Sequence, residues 1–227
     1  RDFCLSRGLG DVYKRQAQVG NGKFAFGMDI TGLQTFVPFN TLSDWSWHSF
    51  PLPEGMRAED YRPVVVETHG KKIAYELRNP DQPELSEWLT KNPHRYNLGR
   101  IGFRLLREDG TEAREIDLGN ARQEIDLWTG VVYSRFELNR KEVKVRTVCH
   151  PDKDMIGVSI ESELLNDGNM SIYLDFPYPD GRYFKHYIGR YDTISGHTST
   201  FEKLAPNSVR IARTMDDTHY YAAQVTA

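Results

Sequence analysis

Arg122-Gln-Glu-Ile-Asp-Leu-Trp128, Val131-Val-Tyr-Ser-Arg-Phe-Glu-Leu138 and Glu142-Val-Lys-Val-Arg-Thr-Val-Cys-His150 decide the fold. These runs, rich in β-branched and aromatic residues, are broken by Thr129-Gly130 and Asn139-Arg140, the spacing of consecutive antiparallel strands. In the last run Val143, Val145, Thr147 and Cys149 alternate with Lys144, Arg146 and Val148, so one face is suited to a core. Cys149 falls on that face and reads as a small core residue rather than a nucleophile.

The same period extends in both directions. Phe24, Phe26 and Met28 alternate with Lys23, Ala25 and Gly27, and Leu33 to Val37 is expected to return as a second strand after a turn at Asp29 to Gly32. Val64 to Thr68 and Lys71 to Leu77 flank His69-Gly70 as a hairpin. Leu98 to Arg107, Asp109-Gly110 and Thr111 to Leu118 predict another, with a type I′ turn. Strands are further expected over Met155–Leu165, Met170–Phe176, Val209–Ala212 and Tyr220–Val225. One helix is predicted over Glu84–Lys91, ending before Asn92-Pro93 because a residue that precedes proline avoids the helical region. The fold class is therefore all-β, an antiparallel sandwich with one short helix, read as a single domain over residues 17–227.

Composition narrows the partners. A net charge of −3 gives a nucleic-acid phosphate backbone no electrostatic reason to bind. The apolar runs are of strand length, so no membrane-spanning helix is expected. Arg1 to Gln16 has neither strand nor helix period and resembles translated sequencing-adapter read-through, so it is set aside as a non-native segment. Tyr220 to Ala227 reads as a strand cut in mid-run, which makes the sequence an expected piece of a longer protein.

No cofactor motif is present. The seven histidines show no metal-ligand spacing, Ser159, Ser171 and Ser195 lack a nucleophile elbow, and Gly20-Asn-Gly22 is not followed by a phosphate-loop helix start. The carboxylates beside turns or aromatics, Asp29, Asp44, Asp175 and Asp180, establish no pair at the separation glycoside hydrolysis needs.

Two aromatic and polar clusters stand out. Asp44-Trp45-Ser46-Trp47-His48 combines ring faces suited to stacking on a pyranose with short polar groups suited to its hydroxyls. Trp45 and Trp47 are two apart, so an extended segment puts both on one side, where they either meet a sugar or plug the sandwich edge. His94 and Arg95, in Asn92-Pro-His-Arg-Tyr-Asn-Leu-Gly-Arg100, form the second cluster. Asn21, between two glycines, is either a structural turn or a point of close ligand approach. The candidate substrate-binding residues are Asn21, Asp44, Trp45, Trp47, His48, His94 and Arg95, with no catalytic or metal-binding residue among them.

Val19-Gly-Asn-Gly-Lys-Phe-Ala-Phe-Gly27 resembles the start of the N-terminal β-sandwich of bacterial glycosidases with an (α/α)6 catalytic barrel, including glycoside hydrolase families 65 and 95. Asp29-Ile-Thr-Gly-Leu-Gln-Thr-Phe36, Trp45-Ser-Trp-His-Ser-Phe50 and Asn92 to Gly102 are similar to a less studied six-hairpin glycosidase group from gut and soil bacteria. The resemblance covers residue 19 to about residue 227 and implies a galactose-mutarotase-like supersandwich preceding the barrel. It further implies a carbohydrate substrate, catalytic carboxylates on a C-terminal helical domain, and a periplasmic or extracellular location. Two other readings are an independent carbohydrate-binding module and a structural or adhesion sandwich.

Overall fold

The computed structural model describes residues 17–75, 78–180, 188–193, 195–216 and 218–226. Expectations placed on residues 1–16, and on most of the aromatic and basic stretch 182–191, lie outside the described residues. In chain order the first strands are β1 (Ala17–Gly20), β2 (Phe24–Met28), β3 (Thr41–Ser43) and β4 (Trp47–His48). The hairpin β5 (Val64–Thr68) and β6 (Lys71–Tyr75), the helix α1 (Pro83–Lys91), β7 (His94–Arg95) and β8 (Arg100–Leu105) follow. The meander β9 (Gly119–Asp126), β10 (Val131–Leu138), β11 (Lys141–Cys149) and β12 (Ile156–Glu161) comes next. Last are β13 (Met170–Asp175), β14 (His197–Ala205), β15 (Ser208–Met215) and β16 (Thr218–Thr226). Every strand pairing is antiparallel and one α-helix is present among the described residues, so the protein is all-β as expected.

Among the described residues the chain forms two compact units, each assembled from two separate segments: those within 17–46 with those within 97–177, and those within 47–96 with those within 178–226. In the first unit, β1-β2-β3 is one sheet, β12-β11-β10-β9 a second and β13-β8 a third. β1 lies against β10 and β11, so the first two sheets face each other. Between them Phe24, Phe26, Met28, Val132, Phe136, Val143 and Val145 are buried. Removing each such side chain from water contributes about 1.5–3 kcal/mol, which is why the alternation fixes the register. Asn139 and Arg140 both take positive φ, the type I′ geometry that closes β10 on β11.

Two expected strands of this unit are corrected. Residues 33–37 do not return as a strand; they belong to a loop, buried at Leu33, Gln34 and Thr35, that winds around the Asp29 carboxylate. That carboxylate accepts from Thr31 N (2.9 Å), Thr31 Oγ1 (2.6 Å), Phe36 N (2.6 Å) and Val37 N (3.2 Å). A local side-chain acceptor thus replaces the ladder a strand would need. Likewise residues 111–118 form no return strand. Gly110 turns the chain with φ 78, but β8 takes its partner from β13, and Glu115–Asp117 is a 3-10 turn whose Asp117 carboxylate accepts from Arg114 N at 2.7 Å.

The second unit holds the pair β4–β7, the hairpin β5–β6 and the sheet β14-β15-β16. Helix α1 begins with Pro83 at its first turn and ends at Lys91, where Asn92 turns extended ahead of Pro93. Its C-terminal end is tied to the loop after β4. Trp88 Nε1 donates to Phe50 O (2.9 Å) and Pro51 O (3.0 Å), and Phe50 N donates to Asn92 Oδ1 (2.8 Å).

Candidate functional site

Four of the seven candidate residues come together in the second unit. The two clusters are antiparallel partners: Trp47 stands opposite Arg95 and His48 opposite His94 in the β4–β7 pair. Because successive strand residues point to opposite sides, the pair has two different faces.

The outer face carries Trp47, 45% exposed, with the Arg95 guanidinium 4.2 Å from its ring centroid. That is a cation–π contact worth roughly 0.5–1 kcal/mol at an exposed position. The inner face carries His48, only 3% exposed, and His94. His48 Nδ1 lies 3.1 Å from His94 Nε2, and His48 Nε2 lies 2.8 Å from Asp216 Oδ2. The backbone carbonyl of Lys91 accepts from His94 Nδ1 at 3.0 Å, and the Tyr178 hydroxyl donates to Asp216 Oδ1 at 2.7 Å. Phe50 closes the group, its ring 4.8 Å from that of His94 and edge-on to His48 at 5.1 Å.

Burial pushes the pKa of both imidazoles below the ordinary 6.5, while the Asp216 hydrogen bond and charge pull that of His48 back up. Burial, followed by the hydrogen bond and charge of Asp216, holds the Tyr178 phenol far above its ordinary value. The His48 ring is thus turned to Asp216 and His94 rather than to solvent. What the network does is fix β4 and β7 from behind, and with them Trp47 and Arg95.

The other three candidates lie in the first unit. Asn21 is committed to the fold at all four of its hydrogen-bonding positions. Its Oδ1 accepts from Lys23 N (3.0 Å) and Phe24 N (2.8 Å), and its Nδ2 donates to His150 O (3.0 Å) and Lys153 O (3.1 Å). Trp45 is 46% exposed, with Nε1 donating to Asp154 Oδ2 at 2.6 Å. Asp44 donates its backbone N–H to Lys23 O at 2.8 Å, and its Oδ1 is 3.3 Å from Ser43 Oγ.

Sequence reasoning missed Asp216 and Tyr178. Asp216 sits between β15 and β16 with φ 48, a conformation aspartate tolerates better than most residues, so a turn acid between two strands was the available signal. Tyr178 lies in Pro177-Tyr-Pro-Asp-Gly181, whose prolines marked the stretch as a break and drew attention from the phenol. Among the described residues no group of three or more His, Cys, Asp or Glu side chains is arranged to hold a metal ion.

No family model and no curated protein matches the chain.

Proposed function

We propose that this chain is the β-sandwich part of a carbohydrate-active enzyme of the glycoside hydrolase kind, supporting and partly walling a sugar cleft. In this reading the catalytic carboxylates lie on an (α/α)6 barrel C-terminal to the sandwich, and the galactose-mutarotase-like supersandwich is the scaffold. One observation carries the proposal. Trp47 is a half-exposed aromatic surface held in place by Arg95 on one side and by the His48–His94–Asp216 network behind it. A rigid ring open to solvent, with a charged hydrogen-bond donor beside it, suits the apolar face and hydroxyl rim of a pyranose. In this reading Asp29, which accepts from backbone N–H groups, and Asp216, which faces His48 and Tyr178, serve the scaffold.

A second reading, an independent carbohydrate-binding module, is favoured by a shallow groove of about 450 Å³ on the β14–β16 sheet. Thr200, Phe201, Glu202, Arg210, Ala212 and Tyr221 are among the residues that line it. Titration calorimetry of the chain against a panel of oligosaccharides separates the two. Silence fits a wall that needs its barrel; saturable binding that is lost in Phe201→Ala supports the module and counts against the first reading.

A further inference from the structure

The inner face of the β4–β7 pair poses a problem of hydrogen counting. Lys91 offers only a carbonyl oxygen, so His94 Nδ1 must carry the hydrogen in that 3.0 Å contact. His94 Nε2 and His48 Nδ1, 3.1 Å apart, share one hydrogen. His48 Nε2 and Asp216 Oδ2, 2.8 Å apart, share another. Two neutral imidazoles and an ionised carboxyl bring two hydrogens to these positions, whereas the three contacts require three. Tyr178 does not make up the difference, since its own hydrogen is donated to Asp216 Oδ1 at 2.7 Å.

We propose that the chain Lys91–His94–His48–Asp216 is a proton-operated latch, closed by the uptake of one proton and opened at one contact by its release. The added proton makes His48 an imidazolium facing the Asp216 carboxylate at 2.8 Å, an ion pair in a site that Phe50 and Tyr96 help to enclose. Without the proton, two lone pairs face each other across one of the contacts, and that contact opens. Burial sets the uptake on the acid side of the ordinary imidazole range, and the step belongs to the pair rather than to one ring.

Other titratable and charged groups described in the second unit have partners of their own. Buried Arg213 on β15 donates to Thr198 O (3.2 Å) and Ser199 Oγ (2.6 Å), and its Nη2 lies 2.6 Å from His197 Nδ1. His197 in turn faces Thr193 O through Nε2 at 2.6 Å, so its single hydrogen is placed there. Burial raises the pKa values of Tyr96 and Tyr221, and both stay protonated. The Lys91 ammonium is 2.6 Å from Glu87, and Arg95 lies on the outer face over Trp47. A closed latch firms the back of the Trp47 surface. Its bearing on a bound sugar rests on the reading above, but the latch itself does not.

The decisive substitution is Asp216→Asn. An amide N–H at this position supplies the third hydrogen without a proton from solution, its oxygen still accepts from Tyr178, and asparagine also tolerates the positive φ. The test is ¹⁵N NMR of the imidazoles in the ligand-free chain, titrated from about pH 5 to pH 8. In the wild type one shared protonation step should appear at His48 and His94 together, counting one proton for the two rings. In Asp216→Asn that step should vanish from the window while the His48–His94 contact persists. Retention of the wild-type step in the variant, or two independent one-proton steps in the wild type, overturns the latch. If the variant does not fold, the wild-type count decides: both rings neutral beside an ionised Asp216 throughout the range overturns it equally.

Discussion

His48 Nε2 and Asp216 Oδ2 are 2.8 Å apart although 168 residues separate them in the sequence. This contact joins the turn between β15 and β16 to the rear of the β4–β7 pair, and Asp216 is itself held there by its N–H to Gly196 O at 2.8 Å. The two ends of the second unit's chain are thus stitched through one carboxylate, and the outward-facing Trp47 inherits their rigidity.

Asp216→Ala should be much more damaging than Asp216→Asn. It leaves His48 and the Tyr178 hydroxyl without their shared acceptor, and alanine is poorly suited to φ 48. A loss of about 3 kcal/mol is expected in urea denaturation of the full chain, with less than half of that for the asparagine variant.

The stability of the second unit should also vary with pH. The folded-state pKa values of His48 and His94 lie below the unfolded value of 6.5, so the unfolded chain takes up protons first as the pH falls. Stability is therefore full above 6.5, declines as the pH drops through the folded values, and levels off below them. Melting temperatures across this range check the sign; a rise on acidification would contradict it.

Asn21→Ala should destabilise the first unit by about 2–3 kcal/mol, since it removes two bonds accepted from Lys23 N and Phe24 N within the turn between β1 and β2 and two donor bonds that fasten this turn to His150 and Lys153. Asn21→Asp keeps the acceptor side but sets a carboxylate oxygen against the His150 and Lys153 carbonyls, so it too should be destabilising. Thermal denaturation measures both, and an aspartate variant as stable as the wild type would argue against this accounting.

Gly32→Ala is expected to cost about 2–3 kcal/mol. The residue has φ 83, and an added Cβ would come within 3.0 Å of Ser134 Oγ and Val145 Cγ1. Chemical denaturation of the variant measures it.

Much of this fold was legible because the strands are amphipathic. Phe24, Phe26 and Met28, or Val143, Val145 and Thr147, declare their inner face by alternation alone, and that face is buried in the structure. What escaped was decided by partners distant in sequence or by a single side chain. Residues 111–118 follow an Asp-Gly turn, but their pairing with the chain before it goes no further than an isolated bridge between Leu106 and Glu112, and β8 takes β13 as its strand partner. Residues 33–37 were claimed by the Asp29 carboxylate. At the site, His48 and His94 were both visible as residues of interest, but the register that sets them face to face depends on the pairing of Trp47 with Arg95. Asp216 looked like one more turn acid until His48 was beside it.

The central claim is that the sandwich serves a carbohydrate-active enzyme whose catalytic groups reside on a helical barrel. Reading the source DNA beyond codon 227 tests it most directly. The account predicts an open frame with a further strand, a linker and then about a dozen amphipathic helices with apolar residues at the 3.6-residue period. An immediate stop codon, or a continuation without such helices, would contradict it.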